Sequence, residues 1–386
     1  MAIGYSPKIV TEGLALYYDV GNVKSYKGEP TTNIVAGTNA IYTVAGTYTT
    51  NTTVDGVRVL ENDQVNNSHV MWNGATGFIV TCSAGAYITV SAEYKTNCTV
   101  RMRFRDNPYD SQYDIDGGNI ATISTQDVDI NTNGEWKRYS LTAQTSTANP
   151  DLWWYLVDYR NNNEFGRVEI RNWQIEVKSH ATPFVNGTRS ATQGLLDLTG
   201  NSTIDIGGTS FNTSSEIFFD GTDDWLLLTR RQYAAAEAWT AELIINPSDA
   251  ADTSWNGIFG GDLGVGGYWM FHGGGNLTYY EGYWNPTTRI AYTGLLLGNH
   301  FPANTNKHLT ITYDGAGRYN IYINGAQAEG FNWTHTGTYS LDLRYVGGPA
   351  ARYGTVQVPL LKMYDGTLTP TQISSNFNAI RSRFNI

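Results

Sequence analysis

Cysteine is almost missing from this chain: Cys82 and Cys98 are the only two in 386 residues. Two thiols cannot build a disulfide-stapled scaffold, and with no histidine at short spacing they cannot build a zinc site. A Cys82–Cys98 bridge would flank one strand pair, but two buried thiols are the commoner arrangement in so cysteine-poor a sequence. Histidine is scarce as well, at 69, 180, 272, 300, 308 and 335, and no pair has metal-ligand spacing. Charge is sparse: Asp, Glu, Lys and Arg make up 16% of the chain and the formal net charge is −10. That balance argues against a nucleic-acid or anionic-membrane surface, which needs clustered Lys and Arg. No run of about 18 apolar residues offers a membrane-spanning helix. The opening MAIGYSPKIV has neither the basic region nor the apolar core of a signal peptide, so synthesis in a cytoplasm is expected. Gly-x-Ser-x-Gly, His-Glu-x-x-His and phosphate-binding-loop motifs are all lacking.

What is present points to β-structure. Aromatics reach 13%, with 26 Tyr and 11 Trp, and there are 41 Gly. Tyr, Thr, Asn and Gly in quantity, with few Lys and Glu, describe an all-β protein rich in turns. The clearest stretch is His308 to Ala326. Leu309, Ile311 and Tyr313 alternate with Thr310 and Thr312, and Tyr319, Ile321 and Ile323 alternate with Asn320 and Tyr322. Period two over both runs predicts two half-buried strands. Asp314-Gly315 joins them, and Asn324-Gly325 begins the next turn because both residues accept positive φ cheaply.

Taken in order, Leu14, Leu16 and Tyr18 mark one face of a first strand, and Asp19 to Asn22 a turn. KGEPTT, Lys27 to Thr32, is a polar linker. Short β segments follow at 39–49, 54–60, 77–81, 87–94, 99–105, 134–141 and 151–158. Gly166 to Val177 changes phase between Ile170 and Trp173, which predicts a bulge. TPFVNGTRS, Thr182 to Ser190, reads as a second linker. Strand pairs then surround Asp220-Gly221, and strands cover 238–246, 339–346 and 356–364, with a Gly-rich stretch from Gly257 to His272. The C-terminus differs: Thr369, Pro370 and Gln372 form a capping box with Pro at the first helical position, and Ile373, Phe377, Ile380 and Phe384 recur at helical spacing. One amphipathic helix packed on a sandwich edge is expected. The predicted fold is all-β: two antiparallel β-sandwich or jelly-roll domains plus a short C-terminal helix.

Residues 216–386 resemble a concanavalin A-like (laminin-G-type) β-sandwich. The resemblance rests on FDGTDDWL at Phe219–Leu226, AWTAELIINP at Ala238–Pro247, NGIFGG at Asn256–Gly261 and KHLTITYDG…YNIYINGA at Lys307–Ala326. YDGTLTPTQISSNFNAIRSRF, Tyr364–Phe384, is similar to the end of such domains in bacteriophage virion proteins. Those domains usually begin with a segment similar to GLALYYDVGNVKSY, which here lies at 13–26, far upstream of its continuation at Leu195–Ile206. An insertion accounts for this. The sandwich is then discontinuous, 13–31 with 190–386, and 32–189 is an inserted domain. TNIV at Thr32–Val35 and RNWQIEVKSHATPFVNGTRS at Arg171–Ser190 resemble the two ends of carbohydrate-binding-module-type jelly rolls of phage fibres. Residues 1–12 have no domain of their own and are a candidate anchoring segment.

Several residues are candidate sites. Asp220, Asp223 and Asp224 in FDGTDDW could hold Ca²⁺ through carboxylate oxygens, although a turn whose Asp residues cap backbone amides is commoner. Trp153 and Tyr155 share one face of DLWWYLVD and Trp154 the other, so one side is core and the other could stack on a sugar. Tyr279, Tyr280, Tyr283 and Trp284 lie in the loop-like YYEGYWNP and suit a glycan or a protein partner equally. The acidic 106–116 stretch reads as a solvated loop. A glycosidase on this fold places two carboxylates across a groove, commonly as Glu-x-Asp-x-Glu on one strand; no such run occurs, and Glu169 to Glu176 has the wrong spacing. The resemblance therefore implies a non-enzymatic virion protein, part of a tail or head fibre or a decoration, assembled in the host cytoplasm. Its expected partners are other virion proteins, host-surface polysaccharide and further copies of itself, a trimer by analogy. The alternatives are a purely structural decoration or cement protein and a polysaccharide-degrading enzyme.

Overall fold

The computed structural model describes residues 8–35, 43–45, 50–62, 69–72, 78–105, 120–123, 127–145, 148, 151–158, 166–211, 217–248, 256–262, 267–272, 276–281, 289–296, 299–332, 339–348 and 353–386. The chain divides into two compact units, Met1–Pro30 with Ser190–Ile386, and Thr31–Arg189. Strands dominate both, all paired antiparallel, and only two helices occur among the described residues. Neither helix is long and apolar enough to cross a membrane.

The discontinuous unit is a sandwich of two sheets. In the six-stranded sheet the order is Leu14–Asp19, Val356–Asp365, Trp239–Pro247, Lys307–Tyr313, Arg318–Ile323 and Ala326–Asn332. The seven-stranded sheet runs Ile204–Gly207, Trp225–Ala234, Tyr339–Val346, Asn256–Gly260, Gly267–His272, Asn276–Glu281 and Arg289–Leu296. Between them lies an aromatic core in which Trp239, Trp269, Tyr279, Tyr313 and Tyr319 are essentially inaccessible. Tyr313 stacks on Tyr319 at 4.7 Å, and Trp239 meets both rings at about 6 Å. Offset and edge contacts of this kind add to the large area each ring buries.

The 308–326 hairpin forms as its alternation predicts, with Asn324 and Gly325 both at positive φ in the turn. The first of its strands, Lys307–Tyr313, is buried on both faces, however, and not on one. His308, Thr310 and Thr312 on the second face are as buried as Leu309 and Ile311. The reason is the C-terminal helix, Pro370–Phe384, which lies across the outer face of this sheet rather than on an edge. Ile380 packs on Ile244 and Leu360, and Ile373 on Tyr322 and Tyr364. The helix begins at Thr369 with the capping box and with Pro at the first position, and ends at Asn385 in the left-handed region. Within residues 8–12, Ile9 and Val10 pack against the same two clusters, and the Val10 amide donates to Asn376 Oδ1 at 2.7 Å. The first strand departs from expectation too. A bulge between Leu14 and Leu16 sends Leu14 to the outer face, while Leu16 and Tyr18 face the core.

The inserted unit has one sheet ordered Ile120–Ile123, Lys137–Thr145, Tyr87–Thr96, Gly166–Glu176, Val57–Asn62 and Thr50–Val54. A second is ordered Asp127–Ile130, Val100–Arg105, Asp151–Asp158, His69–Trp72 and Thr43–Ala45. Trp154, Tyr94, Ile170 and Ile175 lie in its core with Cys98, and Cys82 packs against it; no disulfide joins the two. The bulge expected after Ile170 is present between Arg171 and Gln174, with Asn172 at φ 53°. The motifs at the two ends of this unit do structural work. Asn33 donates to the Trp173 and Val185 carbonyls and accepts from the Ile175 and Val35 amides. Glu176, fully buried, accepts from Gln174, from the Thr182 amide and hydroxyl, and from the Thr31 hydroxyl.

Candidate functional site

The aromatic candidates part company. Tyr279 is not in a loop and is not a platform: it sits on the Asn276–Glu281 strand, wholly buried, 5.2 Å from the Trp269 ring and 5.4 Å from Tyr319. Period two explains this, since Leu277 and Tyr279 share the core face. Tyr280 lies on the same strand, and its side chain is outside the described residues, as are Tyr283 and Trp284 altogether and the 106–116 loop. Trp153 and Tyr155 lie on the Asp151–Asp158 strand, with side chains also outside the described set; their neighbour Trp154 lies in the core with Leu156 and Val157.

The three aspartates do come together. Asp220, Asp223 and Asp224 place ligand atoms within 4.8 Å of one another in the turn that leads into the Trp225–Ala234 strand. The turn is made by its own side chains. Asp220 Oδ1 accepts from the Thr222 amide at 2.7 Å, and Asp224 Oδ2 from the Asp220 amide at 2.8 Å. Asp220 and Asp223 are exposed and Asp224 is only 3% exposed. Burial, and then the charges of Asp220 and Asp223, push the Asp224 carboxyl up to about 6, against the pull of the Asp220 amide. Three clustered carboxylates are relieved by a proton or a cation, and an all-oxygen donor set suits Ca²⁺ rather than zinc. Asp220, Asp223 and Asp224 would hold such an ion, with remaining positions left to water or a ligand.

A second group beside this turn gave no sequence signal of binding. Leu226 pairs with Val346 and both face the core, so their chain neighbours Trp225 and Tyr345, diagonal across the ladder, lie on the opposite face of the seven-stranded sheet. Their rings meet edge to face at 6.2 Å and both are half-buried, as is Tyr353. The Arg344 guanidinium lies 5.2 Å over the Tyr345 ring and is ion-paired with Asp262, each about a third exposed. Burial and Asp262 both raise the Tyr345 phenol, so it stays protonated as a donor.

Two glycine pairs seat this group. The Trp225 ring occupies the space a Cβ on Gly207 would need, at 2.3 Å. At Gly208, φ is +65° and a Cβ would lie 2.8 Å from Asp224 Oδ1. Gly348 comes within 3.1 Å of the Asp224 carbonyl and 3.0 Å of the Tyr353 ring in the same sense. The doublets Gly207-Gly208 and Gly347-Gly348 were the available signal, since paired glycines in strand surroundings mark close approach.

Among the described residues, a cluster with the residue types of an acid–base site lies elsewhere and is sealed. Glu242, Lys362 and His308 are each 0% exposed, under the C-terminal helix. Lys362 Nζ donates to Glu242 Oε1 at 2.6 Å, His308 Nε2 lies 3.2 Å from the same oxygen, and Asn376 donates to Oε2 at 2.5 Å. No substrate reaches these atoms, so their role is in packing.

Residues 219–374 match the family profile of the concanavalin A-like lectin/glucanases superfamily, and this part of the chain has a concanavalin A-like β-sandwich fold. No curated protein sequence matches the chain. Among solved structures, the botulinum neurotoxin serotype D ligand binding domain in complex with N-acetylneuraminic acid is similar at 17% identity, with a TM-score of 0.40 over 49% of each chain. The receptor binding domain of botulinum neurotoxin D is similar at 17% identity, TM-score 0.39, over 49% of this chain and 50% of that one. The binding domain of Paraclostridial Mosquitocidal Protein 1 is similar at 16% identity, TM-score 0.38, over 48% and 49%. The chain thus spans about half the length of these structures.

Proposed function

We propose that this chain is a non-catalytic structural protein of a bacteriophage virion, a fibre or decoration component that contacts host-surface polysaccharide through its concanavalin A-like sandwich. The observation that carries the glycan-binding part is the half-exposed patch of Trp225, Tyr345 and Tyr353 with the Arg344–Asp262 pair at its border. A pyranose offers an apolar C–H face to an aromatic ring and hydroxyls to flanking charged groups, and this patch supplies both. The adjoining aspartate turn adds a place for Ca²⁺ to bridge protein and sugar oxygens. The non-catalytic part is supported by the sealing of Glu242 and, among the described residues, by the gathering of Asp220, Asp223 and Asp224 in one turn instead of across a groove. The virion part is supported by the likeness of Gly13–Tyr26 and Tyr364–Phe384 to phage sandwich domains; its partners are then other virion proteins and further copies of the chain.

Purified protein is titrated with a panel of bacterial surface polysaccharides, with and without EDTA. Saturable binding that Trp225→Ala or Tyr345→Ala abolishes without loss of folding is the expected result. Absence of binding by folded protein overturns the glycan reading. It favours the decoration reading, for which the burial of Tyr279 already speaks by removing one predicted platform. Immunolabelling of purified particles with an antibody to this chain checks the virion part, which falls if particles are unlabelled.

A further inference from the structure

A pocket of about 110 Å³ opens in the discontinuous unit, away from the aspartate turn and further along the same strand. Its origin is a bulge. Leu227 pairs with Tyr345 and Arg231 with Leu343, so four steps along Trp225–Ala234 match two along Tyr339–Val346. Two residues are thus in surplus among Leu228 to Arg230; Leu228 stays paired with Ile204, the Thr229 amide donates to Ser202 and Thr203, and the pocket is lined by Leu228 to Arg230 together with Ala15 and Leu16 of the first strand. Bulges of this kind re-aim side chains and are enriched beside binding sites.

The far wall is rigid. Asp197, 9% exposed, accepts at its two oxygens from the Tyr17, Thr199, Asn201 and Ser202 amides and from the Thr199 hydroxyl, all between 2.7 and 3.0 Å. One carboxylate thereby fixes the turn that presents Asn201 and Ser202. Opposite them stand Arg230 and Arg231, over a floor that includes Leu16 and Leu228. Each guanidinium is held from behind. Arg230 Nε donates to the fully buried Asp342 at 2.8 Å; Arg231 is ion-paired with Asp365 and lies 5.2 Å over the Tyr233 ring. Both arginine side chains remain about 40% exposed, and no acidic residue lines the pocket. The lining thus presents two guanidiniums of fixed geometry and no carboxylate, although each guanidinium is offset by an aspartate outside the lining.

We infer that this pocket binds the carboxylate-bearing sugar residue of an acidic polysaccharide, as a site separate from the Trp225 patch. Planar guanidinium forks match a carboxylate in a way that ammonium groups do not, and the opposing amide and hydroxyl suit ring hydroxyls. The volume admits one ring-sized group rather than a length of chain. The choice of a saccharide rests on the glycan-binding reading above; the preference for an anion rests on the pocket alone.

The test is a titration of the full chain with D-glucuronate, D-glucose and acetate, followed by calorimetry and saturation-transfer NMR. Glucuronate is expected to bind measurably tighter than the other two. Arg231→Gln is expected to weaken glucuronate by about tenfold or more, the loss of one charge-assisted contact. Because Arg231 and Asp365 are both partly exposed, that variant should keep the wild-type melting temperature. Asn201→Trp, which fills the pocket and leaves both guanidiniums in place, should abolish glucuronate binding as well. Equal affinity for glucose and glucuronate, or no effect of either variant, overturns the inference. Acetate binding as tightly as glucuronate overturns its saccharide part. Neutral polysaccharide bound through Trp225 with no response to glucuronate leaves the glycan reading standing and this pocket without its ligand.

Discussion

Removing the ammonium of Lys362 should release the C-terminal helix. Glu242 and Lys362 face each other directly on two adjacent interior strands of the six-stranded sheet, and both are 0% exposed. Burial by itself would raise the Glu242 carboxyl. The Lys362 charge, His308 and their hydrogen bonds outweigh it and bring the group down to about 2 from an ordinary 4.5. Holding the carboxyl that far below its ordinary value is worth about 3 kcal/mol to the folded state. Since the folded value is the lower one, this stabilisation is present above pH 4.5 and is lost as pH falls toward 2. Lys362→Met removes the largest favourable partner and leaves a buried carboxylate with His308 and Asn376, at a cost of about 3–5 kcal/mol. Glu242 also holds Asn376 on the helix, and Asn376 in turn holds Val10, so the loss should appear first at 370–384 and 8–12. Amide hydrogen exchange of those peptides at pH 7 reads it directly, as an increase of about a hundredfold or more. Glu242→Gln with Lys362→Met keeps an acceptor for Asn376 without the buried charge and should recover most of the protection. An exchange rate within threefold of wild type in Lys362→Met would refute the reasoning, because the pair would then be offsetting no desolvation at all.

Two further outcomes follow from the aspartate turn and its surroundings. Gly207→Ala puts a methyl group where the Trp225 ring lies and should cost about 1–3 kcal/mol while shifting tryptophan fluorescence; an unchanged spectrum and melting temperature would show that the ring moves aside freely. Asp224, whose carboxyl is raised to about 6, contributes stability that is full below about pH 4 and lost as pH rises through 6. Asp224→Asn should flatten that decline, and Ca²⁺ should raise the wild-type melting temperature at pH 7 and not that of the variant; equal Ca²⁺ responses would exclude the turn as a cation site.

What was legible in the sequence was whatever is encoded locally. Thr369, Pro370 and Gln372 fix the start of the helix by contacts within four residues, and Asn324-Gly325 fixes a turn by its own φ values. The strand at Asp151–Asp158 and the bulge after Ile170 were readable from alternation and its break. Faces were harder. Alternation says which residues point together, but not that a helix 60 residues on will cover the second face of His308–Tyr313. Tyr279 misled because Gly and Pro nearby in YYEGYWNP outweighed the short period-two pair Leu277 and Tyr279. The Trp225 patch went unseen for a different reason. Trp225, Tyr345 and Tyr353 meet only through pairing of strands more than a hundred residues apart, and the glycine doublets that seat them are the only local trace. The buried pair did leave a trace: Glu242 and Lys362 are lone charges within the otherwise apolar AWTAELIINP and VPLLKMY. Such residues in central strands require partners, and each was the other's.

The division of the chain also makes a prediction. Within the discontinuous unit the outgoing and returning segments are stitched together before and after the interruption. Tyr26 bridges Leu195, the Lys27 amide donates to the Gly194 carbonyl at 2.8 Å, the Leu196 amide to the Ser25 carbonyl at 2.8 Å, and the Ser25 hydroxyl to the Leu196 carbonyl at 2.6 Å. The first strand then pairs along its length with Val356–Asp365, near the chain's other end. No contact among these involves Thr31–Arg189, so the sandwich should fold without it. Replacing those residues with a short Gly/Ser linker between Pro30 and Ser190 leaves the ladder intact. It also shortens the loop to be closed from about 160 residues to about ten. For a flexible loop that change is worth roughly 2–3 kcal/mol in favour of the shortened chain, and less to the extent that the insert's own fold already holds its ends together. Exchange protection of 370–384 equal to that of the full chain, together with unchanged binding by the Trp225 patch, is the expected result. An insoluble product, or one whose helix exchanges freely, would mean that the strand at Leu14–Asp19 is held in register by the insert and not by its own pairing with Val356–Asp365.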